Sequence, residues 1–234
     1  MMLSTAWWSM VNYRGICIPP TSFGNVCSDD LFCEKEQALF DFYERSANRY
    51  EIVLDVGANI GVHTIMMARN RWHVTSFEPD PWHFEMLCAN VERNGYAELC
   101  SLRNQALSDH SGTAQFVRVK GNTTGSHLKG DKSPYGELEE FPVQVVDCRQ
   151  LFRWADFAKI DCEGHEARLL TTVPAHCECE FMVEVGSERN AEAIYKHFDG
   201  RRMFAQHLGW GPVMKLGDMP THHSHGALFI GNDL

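Results

Sequence analysis

EIVLDVGANIGVHTIMMARN, residues 51–70, decides the fold. Its first half is a short β-branched run ending at Gly57, which reads as a buried strand. Its second half carries Val62, Ile65 and Met66 at helical spacing. Between them Gly57 and Gly61 bracket Ala58-Asn59-Ile60. Two missing Cβ atoms there let the chain turn tightly and let a ligand approach the backbone. A strand, a glycine-bounded turn and a helix make the opening half of a strand-helix-strand unit, and the rest of the chain repeats the alternation.

HVTSFEP (73–79) reads as the second strand, stopped by Pro79. The helix after it is clearly punctuated: Asp80 as N-cap, Pro81 in the first turn, Phe84, Leu87, Cys88 and Val91 on one face, and Asn94-Gly95 as terminator. Residues 98–107 read as a third strand, and residues 113–119 as one arm of an antiparallel hairpin after the turn at 108–112. Residues 120–140, rich in Gly, Ser, Thr and charge, read as a loop of the length usually given to functional lids. Further strands are expected at 142–148, 156–162, 180–186 and 227–231, with a weaker one at 202–208. Helices are expected around Leu151, from Glu163-Gly164 through Ala167 and Leu170, and across Ala191, Ile194, Tyr195 and Phe198. Ahead of the sheet, residues 29–46 read as one helix with Leu31, Ala38, Leu39 and Phe42 inward. The expected organisation is an amino-terminal arm and helix over 1–50, with Trp7, Trp8 and Tyr13 as a packing arm or substrate cover, and a single domain over 51–234.

With 44% hydrophobic and 22% charged residues, the 234-residue chain has enough apolar material for its own core. Its 21 Lys and Arg face 31 Asp and Glu, a formal charge of −10. That balance argues against DNA, because backbone affinity comes from cations neutralising phosphates. No apolar run approaches the ~20 residues of a membrane-spanning helix. The first 15 residues show no basic segment followed by an apolar one, so a cytoplasmic location is expected. Nine cysteines, an odd number on a chain of this size, are expected to be reduced thiols.

Glu78 lies 23 residues beyond Asp55, at the end of the second strand, where a carboxylate can accept both hydroxyls of a ribose. The glycines do not follow G-x-G-x-x-G, and no Gly-Lys-Ser/Thr loop is present. The residues therefore point to a nucleoside cofactor without a pyrophosphate.

VLDVGANIGVHT (53–64), FEPDP (77–81), NQALSDHSG (104–112) and KIDCEGHEARLL (159–170) together resemble the FkbM-type branch of class I S-adenosylmethionine-dependent methyltransferases. The likeness spans roughly residues 51–186, with the four blocks in the family's order. It implies an α/β, doubly wound Rossmann-like fold with a mostly parallel seven-stranded sheet and helices on both faces. It also implies that Asp55, Gly57, Ala58, Asn59 and Gly61 cradle the methionine part of S-adenosyl-L-methionine, that Glu78 holds the ribose, and that Gln105 and Ala106 lie against the adenine. Asp161 would face the transferable methyl.

The acceptor implied is a hydroxyl of a sugar or other small polar metabolite. Asp161, Glu163 and His165 are the polar groups expected to reach it, with Asp161 by proximity or His165 by proton affinity as general base. Asp161 and Glu163 as ligands of a divalent metal are a weaker reading, and no metal is expected. An RNA or protein methyltransferase and a non-catalytic nucleoside-binding module are the alternatives. His63 is a further candidate cofactor contact. His222, His223 and His225, in THHSHG, and His176-Cys177-Glu178-Cys179 have ligand-like residue types, but packing explains them more simply.

Overall fold

The computed structural model describes residues 11–133 and 135–234; Trp7, Trp8 and the side chain of Tyr13 lie outside the described residues. β1 (Val11–Tyr13) and β2 (Ile16–Ile18) form an antiparallel hairpin. A short 3-10 turn, Ser28–Phe32, then leads to α1 (Glu34–Arg45). The single helix expected over 29–46 is thus two pieces. Cys33 between them is extended (ψ 168°), and Asp30 accepts the Cys27 N–H at 2.8 Å to give the first piece its own start.

The chain continues through β3 (Ile52–Val56), α2 (Val62–Arg69), β4 (His73–Phe77), α3 (Pro81–Arg93) and β5 (Cys100–Arg103). β6 (Ala106–Ser108), β7 (Gly112–Val119), β8 (His127–Leu128) and β9 (Leu138–Asp147) follow. After these come α4 (Arg149–Trp154), β10 (Phe157–Ile160), α5 (Glu166–Leu170), β11 (Glu180–Glu184), α6 (Glu188–His197), β12 (Met203–Ala205), β13 (Gly211–Pro212) and β14 (Ala227–Ile230).

The main sheet has the order β13-β12-β14-β11-β10-β3-β4-β5. β11, β10, β3, β4 and β5 are parallel, and β14 reverses the direction beside β11. The mostly parallel α/β sheet is therefore present, with eight strands rather than the expected seven because two-residue β13 adds an edge beside β12. The third run does not continue to Leu107. Asn104 Nδ2 donates to the carbonyls of Glu78 and Pro79 at 2.8 and 3.1 Å, folding the chain back over the end of β4. β6 then leaves the main sheet and joins a second, four-stranded one, β6-β9-β7-β8; β7 is antiparallel as expected, but its partner is β9, which lies between it and β6, and not the strand before the 108–112 turn.

Side-chain alternation along the strands separates two cores. Val53, Val74, Phe157, Met182 and Phe229 pack with α1, α2 and α3; Leu54, Val56, Ala158, Ile160, Phe181 and Val183 pack with α4, α5 and α6. Helices thus cover both faces. Phe42 of α1 meets Phe157 and Phe229 with ring centroids 5.6 and 5.3 Å apart, and Tyr50 stacks on Phe157 at 4.9 Å, so residues before 51 share the main core.

Asp80 caps α3 by accepting the Trp82 N–H at 2.9 Å, and its two oxygens also take Arg118 Nε and Nη2 at 2.7 and 2.6 Å. This fully buried carboxylate fastens the second sheet to the first; burial alone would raise its pKa, but the Arg118 guanidinium overrides that and holds it below the ordinary range. Asp80→Ala removes a cap, worth about 1 kcal/mol, and leaves the partly buried Arg118 without its main partner. Denaturant unfolding should show a loss of about 2–4 kcal/mol; a loss under about 1 kcal/mol would contradict the dual role.

Candidate active site

β3 and β10 run in register, Val56 beside Ile160, and their carboxyl ends nearly touch. A Cβ on Gly57, at φ +78°, would lie 1.8 Å from the carbonyl oxygen of Asp161. Gly61, at φ +92°, would meet Leu87 Cδ1 at 2.6 Å. Gly57 is thus required by a backbone contact as well as by its conformation, and Gly61 by its left-handed backbone. Between them Asn59 takes φ +51°, and its N–H donates to Glu78 Oε2 at 2.8 Å. Glu78 Oε1 accepts the Asp80 N–H at 2.8 Å. Burial, helped by nearby Asp80 and Asp55, pushes this carboxyl up to about 8 against the pull of the two N–H donors.

A cavity of about 510 Å³ opens over these strand ends. Gly57, Ala58, Asn59, Glu78 and Ala106 line it, as do Asp161, Glu163 and His165. Asp55, Gly61 and Gln105 do not. Asp55 points into the interior, where Oδ2 accepts the Thr64 hydroxyl at 2.6 Å while Thr64 accepts from Ser76 at 2.9 Å. Its Oδ1 is buried without a partner among the described residues.

The DCEGHE segment divides its work. Asp161 Oδ2 lies 3.2 Å from Lys159 Nζ. Burial pulls the Lys159 ammonium down, but the charges of Asp161, Asp55 and Glu36 outweigh it and hold its pKa above the ordinary value. Glu163, at φ +56°, pairs with Lys132 at 2.5 Å; burial and then the charge of Asp161 raise its pKa. His165 is buried with both nitrogens engaged: Nδ1 with Asp131 at 2.8 Å and Nε2 with Ser108 at 2.9 Å. Glu166 organises the turn from behind, accepting the N–H groups of Cys162 and Gly164 and Asn190 Nδ2. Burial first, and the charge of Asp161, push it up to about 7, against the pull of those N–H donors.

Residues 120–133 form a structured roof. Thr123 N–H donates to Phe23 O at 2.9 Å, Asn25 N–H to Gly121 O at 2.8 Å, and Thr123 Oγ1 meets His83 Nε2 at 2.9 Å. Asp131 and Lys132 fasten the far end through His165 and Glu163. Burial takes the His83 imidazole down to about 4, outweighing the pull of Asp80.

Four charged lining residues escaped attention in the sequence: Glu36, Lys132, Lys159 and Glu184. Lys159 and Glu184 sit inside strand runs, and only their register at the strand ends marks them. His63, considered as a cofactor contact, lines the cavity with Nε2 on Glu36 Oε2 at 2.9 Å and Nδ1 on the Tyr43 hydroxyl at 2.9 Å. The rings of His222 and His223 lie 3.8 Å apart, and His223 reaches the cavity wall. Among the described residues no three His, Cys, Asp or Glu side chains gather as metal ligands, and no helix is long and apolar enough to cross a membrane.

The methyltransferase FkbM domain model matches residues 55–210, and the chain belongs to that family. The hexuronic acid methyltransferase AglP of Haloferax volcanii is 29% identical over 147 residues, which are 58% of this chain and 55% of AglP. The chain thus spans about half the length of that curated relative. Among solved structures, a methyltransferase FkbM from Methylobacillus flagellatus KT aligns at TM-score 0.46 and 13% identity over 77% of this chain and 43% of its own. A tRNA (uracil-54, C5)-methyltransferase of Pyrococcus abyssi aligns at 0.45 and 14%, over 95% of this chain and 44% of its own.

Gly57→Ala forces a Cβ onto the Asp161 carbonyl and an alanine into left-handed backbone. The expected loss is about 2–4 kcal/mol, from overpacking plus the backbone penalty. Denaturant midpoints measure it; an unchanged midpoint would mean that the two strand ends are not in contact.

Proposed function

We propose that the chain transfers a methyl group from S-adenosyl-L-methionine to a hydroxyl of a sugar or another small polar metabolite. The observation that carries this is the pairing, across one cavity, of a glycine turn backed by Glu78 with a charged strand end at Asp161. The residues fit the cofactor. Asn59 Oδ1 is buried without a partner among the described residues and lies in a residue lining the cavity, an acceptor suited to the cofactor's ammonium. Each Glu78 oxygen takes one backbone N–H and keeps a lone pair for a ribose hydroxyl. The cofactor's sulfonium supplies an electrophilic methyl when bound. The protein's part is alignment, water exclusion and proton removal.

Asp161, held by Lys159, gives the negative charge that suits the sulfonium end and orients the incoming hydroxyl. His165 spends both nitrogens on Ser108 and on Asp131 of the roof, so its role in this reading is to hold the roof down. AglP's action on a hexuronic acid favours a carbohydrate acceptor, and the charge of −10 favours a small molecule over RNA.

Ribose hydroxyls donate to an ionised carboxylate, whereas free Glu78, with a pKa near 8, is largely protonated at neutral pH. Binding should therefore expel a proton, and affinity should rise between pH 6 and 8. Calorimetry of S-adenosylhomocysteine binding at pH 7 in buffers of different ionisation enthalpy measures this directly. Glu78→Ala should weaken binding about 100-fold, two charge-assisted hydrogen bonds being lost. Binding that is independent of pH and of Glu78 would overturn the assignment, and no binding at all would overturn the reading.

A further inference from the structure

We propose that Glu184 is the group that takes the proton from the acceptor hydroxyl. This rests on the methyl-transfer reading above. The register Ile160 beside Val183 places Asp161 and Glu184 next to each other at the carboxyl ends of β10 and β11. That is the edge of an open α/β sheet where ligands sit. Four carboxylates meet there, and three are engaged. Asp161 is held by Lys159, Glu163 by Lys132 and Glu36 by His63. Glu184 accepts no hydrogen bond from the described residues, yet it lines both the large cavity and a smaller one of about 40 Å³ that shares its wall.

Glu36 is held in place by a chain of side-chain contacts through His63 to Tyr43. Tyr43 is fully buried, and its hydroxyl is hydrogen-bonded to His63 Nδ1 at 2.9 Å. Glu36 Oε2 lies 2.9 Å from the other ring nitrogen, Nε2. Glu36 is thereby a fixed negative neighbour rather than a free base. The groups around Glu184 are Lys35 and Glu36 from α1, Lys159 from β10, Asp161 and Glu163 from the turn after it, and His223 ahead of β14. Burial, and then the charges of Asp161, Glu163 and Glu36, raise its pKa well above the ordinary carboxylate range. A carboxylate with heightened proton affinity is what a general base near neutral pH needs.

In the step, the acceptor O–H bond breaks and its proton passes to a Glu184 oxygen. The acceptor oxygen forms the new bond to carbon as the sulfur–methyl bond breaks, its electron pair going to sulfur, and the sulfonium becomes a thioether. Glu184 is left as a neutral acid and returns its proton to water when the product leaves. The base must be ionised to act, so transfer should rise with pH through the Glu184 titration.

The full-length wild type, Glu184→Gln, Glu184→Asp and Asp161→Asn are compared, each with S-adenosylhomocysteine, by infrared titration of carboxyl groups, by calorimetry, and by radiolabelled methyl transfer to a panel of neutral, amino and acidic methyl glycosides. The wild-type minus Glu184→Gln spectrum should contain one carboxylic acid that titrates above the ordinary carboxylate range and persists in Asp161→Asn. Glu184→Gln should bind S-adenosylhomocysteine within about threefold of wild type, transfer methyl at least about 100-fold more slowly and lose the rising limb of the pH profile. Glu184→Asp should retain that limb at a reduced rate, and it serves if the glutamine variant does not fold. A difference spectrum without such an acid, or a glutamine variant with wild-type rate and pH profile, would overturn the assignment. Failure of the wild type to bind S-adenosylhomocysteine would instead overturn the methyl-transfer reading, since the spectrum reports on Glu184 by itself.

Discussion

The backbone of Gly57 passes so close to the carbonyl of Asp161 that no side chain fits between them, and the rest of the site depends on that approach. It brings the ends of β3 and β10 together, which sets the glycine turn on one side of the cavity and the charged end of β10 on the other. The same turn carries Asn59, whose N–H reaches Glu78 on β4. Three parallel strands thus deliver three functions to one opening, and Thr64 braces Asp55 beneath the turn so that the geometry is supported from the core side.

Charge is managed around that opening by pairing. Carboxylates beside one another repel unless cations or hydrogen bonds compensate, and the penalty grows with burial. Lys159 and Lys132 serve Asp161 and Glu163, His63 serves Glu36, and backbone N–H groups serve Glu78 and Glu166. The arrangement also explains the roof. Asp131 and Lys132 each find a partner on the segment that follows β10, so residues 120–133 are fastened by the same electrostatics that shape the floor.

Much of this was legible in residues 51–94, because local signals and tertiary demands coincide there. The β-branched run before Gly57, the glycine spacing and the Asp80-Pro81 start each have a local cause, and each appears in the structure where the spacing predicts it. The β5–β6 break was not legible, because it follows from Asn104 reaching back to the carbonyls of Glu78 and Pro79, a contact between distant segments. Asp55, expected beside the methionine part of the cofactor, lies behind the cavity wall with its Oδ2 on the Thr64 hydroxyl. Glu36 and Glu184 escaped for the opposite reason: one sits on a helix outside the motif blocks and the other ends an ordinary strand. Only the packing of α1 over the sheet and the register of β10 with β11 make them neighbours. The roof looked featureless because Thr123, Asp131 and Lys132 take their order from partners elsewhere in the chain.

The central claim is that a nucleoside with a methionine-like tail occupies the cavity between the Gly57 turn and Asp161. A crystal structure of the protein soaked with S-adenosylhomocysteine tests it most directly. The account predicts density inside the cavity with both ribose hydroxyls on Glu78, the amino group on Asn59 Oδ1 and the sulfur facing Asp161. Density elsewhere on the molecule, or a ribose turned away from Glu78, would contradict it.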